Sequence, residues 1–300
     1  MSPGRKLVGL AASSVVLIMA CSPAPSAKNP KNDPASDTAF DGMIAAERAF
    51  AKRASDTGVR DAFLAYLAPE AITFTPSPGN GRERIERRPP PPPGAPPRLS
   101  LRWAPTYGGV SAAGDMGYST GPFVMRLADK GVDEHGLFFS VWKKQPNGEW
   151  LVVLDFGVDT PGPAEPLDAP VARAPRLTPI APPTGHDDVA DLRALDASLA
   201  LGMGNTGPTT WFAPHARVLR SGVMPRVDAA AVRTFWAGFE RYRTTPTFGA
   251  ISASRDFGYT YGTYESSTRG VAENGHYTRV WARGDNGAWT IVADVAARAE

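Results

Sequence analysis

Residues 142–155 read WKKQPNGEWLVVLD and residues 281–294 read WARGDNGAWTIVAD, so the chain contains one pattern twice. Each copy has Trp, Asn-Gly, a second Trp and a final Asp at matching places, and the offset is constant, 281 − 142 = 139. An Asn-Gly pair between alternating apolar residues is the strongest short signal for a β-hairpin. The repeat therefore predicts two domains, each of which ends with this hairpin.

The length of the chain agrees with that division, because 300 residues can hold two domains of about 100 to 150 residues, each with its own core. Proline-rich stretches occur at 22–37, 87–98 and 161–185. They are typical of a flexible tether, an exposed loop and a semi-rigid linker, respectively. We therefore predict a first domain at 38–160, a linker at 161–185 and a second domain at 186–300.

The N-terminal residues are predicted to direct the chain to the bacterial cell envelope. Arg5 and Lys6 precede the uncharged stretch 7–20, which has the length of a signal-peptide core and is too short to span a bilayer. The only cysteine, Cys21, follows in LIMAC, which resembles the lipobox of bacterial lipoproteins. The resemblance implies a signal peptide at 1–20, a lipid on Cys21, a tether at 21–37 and domains in the periplasm or outside the cell. The alternative is a secretory signal that is cleaved nearby, with Cys21 incidental.

Composition and charge argue against several other functions. The formal net charge of +2 falls to about zero once Arg5 and Lys6 are removed, so no basic face for nucleic acid is expected. The 4 histidines form no helical pair, so we predict neither a metal site nor a cofactor. Apart from the lipid anchor, no membrane contact is expected.

Each half of the chain begins with a predicted helix and continues in long strands. The first helices are expected at 40–55 and 187–203, and each has an acid on its apolar stripe, Glu47 and Asp196. Asp228 is expected to cap a further helix in the second half, whereas the counterpart at 81–88 must be short because prolines follow. Helices followed by hairpin-linked strands predict an α+β fold with two tandem cone-shaped domains, in which N-terminal helices pack on a curved antiparallel sheet.

The motifs GYxxG, G-x-[FY]-x-x-V-W and NG-x-W-x-[IV]-V-x-D occur in both halves and look like the nuclear-transport-factor-2-like superfamily, in its SnoaL-like, DUF4440 branch. The resemblance covers about 40–160 and about 186–298, and it departs from the family at the prolines 89–93, where a third helix is usual. The residues that carry it are Gly117, Tyr118, Gly121, Gly136, Val141, Trp142, Gly148, Trp150 and Asp155, and then Gly258, Tyr259, Gly262, Gly275, Val280, Trp281, Gly287, Trp289 and Asp294.

Members of this family form a cone that encloses an apolar pocket. The resemblance therefore implies that a small, largely apolar molecule binds in one or both cones. The second half is favoured because it is rich in aromatic residues. Its candidate pocket residues are Trp211, Trp236, Tyr259, Tyr261, Tyr264 and His276, the last of which could face the concave side of the sheet.

Two alternatives remain open. One is an isomerase, cyclase or lyase similar to ketosteroid isomerase, which would pair a pocket carboxylate with a tyrosine. The other is a non-catalytic assembly or scaffold protein, in which the halves form a pseudo-dimer or the chain forms a homo-oligomer. The candidate catalytic pairs are Glu47 with Tyr107 or Tyr118, and Asp196 with Tyr259, Tyr261 or Tyr264.

For these same residues a structural role is the favoured expectation. Glu47 and Asp196 would then make hydrogen bonds or salt bridges from helix to sheet, and the tyrosines would pack as sheet aromatics. Asp155 and Asp294, at the end of the repeated hairpin, are expected to cap the sheet or to pair with arginine.

Two further sequence motifs match known functional patterns, but comparison of the two halves argues against both. Residues 117–121 fit Gly-x-Ser-x-Gly, but a strand-like stretch follows instead of a helix, and Thr260 stands where the first copy has Ser119. Residues 202–207 fit the dinucleotide pattern Gly-x-Gly-x-x-Gly, but they come at the end of a helix rather than at its start. Neither a serine nucleophile nor a dinucleotide site is therefore predicted.

Overall fold

The computed structural model describes Met1 and residues 34–74, 77–90, 92, 97–178, 188–199, 211–284 and 287–299. Residues 2–20 of the predicted signal peptide, Cys21 and residues 202–207 lie outside these ranges. None of the helices within them has the length and apolar character that crossing a membrane requires.

The first half begins with helix α1 at Pro34, before the expected boundary at 38, and it is described up to the linker. Its helices are α1 (Pro34–Thr57), α2 (Val59–Tyr66) and α3 (Gly81–Glu86). Its strands are β1 (Leu67–Thr73), β2 (Gly79–Asn80), β3 (Leu99–Trp103), β4 (Tyr107–Val110), β5 (Met116–Leu127), β6 (Asp133–Lys144), β7 (Trp150–Thr160) and β8 (Ala172–Arg173).

The second half contains helices α4 (Asp188–Ser198) and α5 (Ala229–Ala237). As predicted, Asp228 caps α5, because its side chain accepts a hydrogen bond of 2.8 Å from the backbone of Ala231. The helical pattern in the sequence runs on to residue 242, but the chain enters β10 at Arg241. The strands are β9 (Phe212–Arg220), β10 (Arg241–Ile251), β11 (Phe257–Thr268), β12 (Val271–Arg283) and β13 (Trp289–Arg298).

Each half has its own sheet, with helices packed against it, so the α+β fold class is confirmed. The order is β2-β1-β7-β6-β5-β4-β8 in the first sheet, where β3 also pairs with β5, and β10-β11-β12-β13-β9 in the second. Most neighbouring strands are antiparallel, but β1 with β7, β4 with β8 and β9 with β13 are parallel.

The repeated hairpins, β6–β7 and β12–β13, have the same local geometry. Gly148 (φ 89°) and Gly287 (φ 76°) adopt the left-handed conformation in the turn, which glycine tolerates best. Both hairpins have a register shift just before Trp142 or Trp281. Such bulges bend a strand, so both sheets are bent at the same place.

The two sheets pack against each other through their outer faces, the faces that the helices leave uncovered. Tyr118 of the first half stacks on Phe257 of the second with ring centroids 6.1 Å apart. Phe74 meets Tyr261 edge to face at 5.7 Å. One buried apolar cluster contains residues of both halves, so the halves share part of their core.

A reciprocal pair of hydrogen bonds joins two turns across this interface. The backbone N–H of Ala112 donates to Asp256 and that of Ala253 donates to Asp115, each at 2.9 Å. The donors and the acceptors are equivalent residues, since 253 − 112 = 141 and 256 − 115 = 141. The contact is therefore self-complementary, as in a two-fold dimer, although it is made within one chain.

The described part of the predicted linker, residues 161–178, lies along the first half. Strand β8 pairs with β4, and the backbone N–H of Ala174 donates to the carbonyl of Gly108 at 2.7 Å. Arg173 and Arg176 form ion pairs with Asp37 in the first turn of α1. These residues therefore extend the first sheet.

Candidate functional site

Helix α1 places a buried carboxyl group inside the first cone. Glu47 has no exposed surface (0%), and its side chain lies against the sheet. It accepts hydrogen bonds from Trp103 Nε1 (2.7 Å), Ser119 Oγ (2.6 Å) and Trp142 Nε1 (3.0 Å). Burial raises the pKa of Glu47, and these donors oppose the shift because they favour the charged form.

A second carboxyl group lies next to Glu47. Asp155 on β7 pairs with Ser140 on β6 and accepts a hydrogen bond of 3.2 Å from its hydroxyl. Asp155 is half-buried. Burial, followed by the negative charge of Glu47, raises the pKa of Asp155 to about 7. Among the described residues, no arginine or lysine forms an ion pair with either carboxyl group.

The second cone has two carboxyl groups at the matching places, but arginines neutralise them. Asp196 and Asp294 are fully buried. Arg279 donates from Nε to Asp294 at 3.1 Å and from Nη1 to Asp196, while Arg220 donates to Asp294 at 2.9 Å. Tyr277 also donates to Asp196 at 2.7 Å. Two acids and two arginines therefore form a buried network without net charge.

The decisive difference between the cones is the residue between the two acids. Asp294 corresponds to Asp155 and Arg279 to Ser140, because 294 − 155 = 139 and 279 − 140 = 139. The expectation that the terminal Asp pairs with arginine thus applies to Asp294, whereas Asp155 makes no such pair. Sequence reasoning did not identify Asp155 and Ser140 as a site, although the contrast of FSVW with TRVW is visible in the alignment of the repeats.

The predicted pairing of Glu47 with Tyr107 or Tyr118 is wrong. Ser119 donates to Glu47, and neighbouring residues of a strand point to opposite faces, so Tyr118 points to the outer face. Tyr107 lies next to Tyr118 with ring centroids 6.3 Å apart. Both tyrosines therefore belong to the interface between the halves.

The predicted pocket residues of the second half are divided between the two faces of its sheet. Trp236 and Tyr264 contact the ring of Tyr242, with centroids 4.8 Å and 5.4 Å away. Tyr259 and Tyr261 lie on the outer face instead, because Thr260 between them reaches Trp281 inside the cone. Their assignment to the pocket, and their pairing with Asp196, are therefore corrected.

The last two pocket candidates also lie apart from the Trp236 cluster. Tyr277 points into the cone, so its neighbour His276 points to the outer face, and the expectation that His276 faces the concave side is corrected. Burial lowers the pKa of His276. Trp211 is half-buried and packs against a different cluster, which contains Leu199 and Trp281.

Neither a metal site nor a serine nucleophile is formed by the described part of the chain. It contains no group of three or more His, Cys, Asp and Glu side chains that could hold a metal ion. Ser119 has no exposed surface (0%) and lies in the middle of β5, where its hydroxyl is hydrogen-bonded to Glu47.

The displaced pKa of Asp155 predicts a pH dependence of stability. The folded protein holds a proton on Asp155 up to about pH 7, whereas the unfolded chain releases it near the ordinary pKa of 3.8. The stabilising contribution is therefore complete below pH 3.8 and is lost as the pH rises towards 7. Asp155→Asn removes this charge and should therefore be more stable than the parent at pH 8 by about 1–2 kcal/mol. This is less than the full pKa shift implies, because solvent screens the partly exposed carboxyl group.

Urea unfolding of the parent and of Asp155→Asn between pH 4.5 and 8.5 measures this difference. The matched control is Asp159→Asn, an exposed acid on the same strand. Equal pH dependence in the parent and in Asp155→Asn would contradict the assignment.

No protein-family model and no curated protein matches the chain. Among solved structures, an NTF-2-like protein of unknown function from Shewanella oneidensis is 15% identical; the match covers 36% of this chain and 97% of that one, with a TM-score of 0.29. A ketosteroid isomerase-like protein from Erwinia carotovora atroseptica is 10% identical, with coverage of 37% and 95% and a TM-score of 0.31. ActVI-ORFA from Streptomyces coelicolor is 12% identical, with coverage of 36% and 95% and a TM-score of 0.29.

Proposed function

We propose that the protein is a cell-envelope lipoprotein whose first cone binds a small, largely apolar molecule at Asp155, while the second cone supports the first. The observation that carries the proposal is the contrast at the matching acids. Asp294 is neutralised by two arginines, whereas among the described residues Asp155 has only the hydroxyl of Ser140 and the neighbouring Glu47. Carboxyl groups with strongly displaced pKa values are concentrated at functional sites.

Two features of the second cone are evidence for this division of roles between the cones. Both acids of the second cone are neutralised by arginines in the ion-pair network. Its outer face is covered by the first half, so a scaffold role fits this cone. The lipid anchor rests on Cys21 and the segment before it.

A second candidate function is proton transfer beside a carbonyl group, as in an isomerase or lyase. The observation that favours it is again Asp155, because a general base works best when its pKa lies near the operating pH. In this version Asp155 takes the role first considered for Glu47 and Asp196, which are held by several hydrogen bonds each.

The test uses the full chain with Cys21→Ser, so that no lipid is attached. A broad thermal-shift screen of small lipophilic compounds should yield binders whose affinity falls at least about tenfold in Asp155→Asn, roughly the effect of one lost hydrogen bond to a charged group. Asp159→Asn should bind as the parent does. Binders that are insensitive to Asp155→Asn, or the absence of any binder, would remove the support for this function.

An assay for conversion of the bound compounds into product distinguishes the binding protein from the enzyme. Turnover that is lost in Asp155→Asn would favour the enzyme, whereas binding without turnover would favour the binding protein.

A further inference from the structure

The second cone shows which chemical group lies between the two acid positions. Arg279 is almost completely buried, with 1% of its side chain exposed, and its guanidinium contacts Asp294 on one side and Asp196 on the other. The guanidinium carbon also lies 4.8 Å from the ring centroid of Tyr277. The chain thus places its own planar cation between two carboxylates and beside an aromatic ring.

The first cone has the two acids but not the cation. Ser140 replaces Arg279, and Phe138 replaces Tyr277, since 277 − 138 = 139. Exchange of an arginine for a serine removes both the positive charge and most of the side-chain volume. Two neighbouring carboxyl groups in a buried place cannot both ionise at low cost, so this pair either retains a proton or requires a cation from outside.

The remaining contacts hold one of the two carboxyl groups in a fixed position. Trp103 and Trp142 donate to Glu47 from two sides, and Ser119 donates a third hydrogen bond. Within the described part of the chain Asp155 has a single side-chain donor, Ser140, and it is half-buried. Asp155 can therefore accept further hydrogen bonds, and it lies next to the fixed Glu47. When both are ionised, the pair carries an uncompensated negative charge.

We propose that the ligand of the first cone carries a guanidinium or ammonium group, which contacts the partly exposed Asp155 as Arg279 contacts Asp294, close to the negative charge of the buried Glu47. This inference rests on the proposed function and names the class of ligand for the same site. The ligand is then an apolar molecule with one cationic end. Its binding requires Asp155 to be ionised, so affinity rises with pH.

The test compares cations with neutral molecules of the same shape. Methylguanidinium, butylguanidinium and benzamidinium are titrated against methylurea, butylurea and benzamide, with the full Cys21→Ser chain in a calorimeter. At pH 8 at least one cation should bind about tenfold or more tightly than its neutral partner. The preference should shrink at pH 5.5, where the raised pKa leaves Asp155 protonated.

Two variants make the test specific. Asp155→Asn should lose the preference for the cation, while Asp159→Asn keeps it. Ser140→Arg should abolish binding, because it supplies the cation from within the chain, as in the second cone. A raised midpoint of thermal unfolding for Ser140→Arg at pH 8 would show that the variant is folded and that the new arginine is paired.

The outcomes separate this inference from the proposed function. If cations and their neutral partners bind equally and Asp155→Asn weakens both, the inference of a cationic ligand is overturned, but the proposed binding site at Asp155 is retained. If no compound of either kind binds and the broader screen also fails, both are overturned. Unchanged binding of the cations to Ser140→Arg would overturn the placement of the cation at Asp155, beside residue 140.

Discussion

Replacement of Arg279 by Ala is expected to lower the free energy of unfolding by about 3–5 kcal/mol, the usual cost of removing one partner of a buried ion pair. Arg279 contacts both Asp196 and Asp294, and these three side chains have at most 1% exposed surface. Without the guanidinium, two carboxylates remain in a place that water does not reach, and only Arg220 still pairs with Asp294. Urea unfolding at pH 7 measures the loss.

The matched control is Arg241→Ala, because Arg241 is an exposed arginine of the same sheet and its loss should cost less than about 0.5 kcal/mol. Asp196→Asn in the Arg279→Ala background should recover part of the stability, since it removes one of the stranded charges. A cost for Arg279→Ala as small as that for Arg241→Ala would contradict the buried network.

Replacement of Phe257 by Ala is also expected to cost about 3–5 kcal/mol, since it leaves a cavity in a core that both halves share. Phe257 is 1% exposed and stacks on Tyr118 of the other half. The parent should unfold in one calorimetric transition because its halves stabilise each other. The variant should show two transitions, or one broadened transition, because it weakens the contact that couples them.

The control for this prediction is Phe248→Ala. Phe248 is 41% exposed, although its ring contacts Tyr259 and Tyr261 of the same sheet. Its truncation should cost about 1 kcal/mol or less and leave a single transition. Two separate transitions in the parent itself would argue that the halves fold independently and that the shared core contributes little.

The fold was largely predictable from local signals. The turn at Asn147-Gly148, the cap at Asp228 and the acid on each first helix are properties of short stretches, and the structure contains all three. The ends of the helices were harder to predict: α5 ends at Ala237 with Gly238 as its C-cap, and the chain then pairs in β10 from Arg241, although the apolar pattern continues to residue 242.

The candidate site was only partly predictable. The hydrogen bonds that Glu47 makes from helix to sheet agree with the favoured expectation, but the predicted pairing placed Tyr118 on the side of the sheet where Ser119 actually lies. A shift of one residue along a strand moves a side chain to the opposite face, and the apolar residues around position 118 do not distinguish the cone from the interface. The repeat predicts the same role for Asp155 and Asp294, but among the described residues only Asp294 has arginine partners.

The sequence by itself determined that the chain contains two copies of an α+β unit, because hairpin turns, helix caps and apolar periodicity depend on residues close together in the chain. The tertiary structure alone decided which acids are neutralised and which are not. Asp196 and Arg279 are 83 residues apart in sequence, so their contact depends on the packing of a helix on a sheet. Charge compensation in a buried place requires partners at hydrogen-bond distance, and that distance is set only when the whole cone has formed.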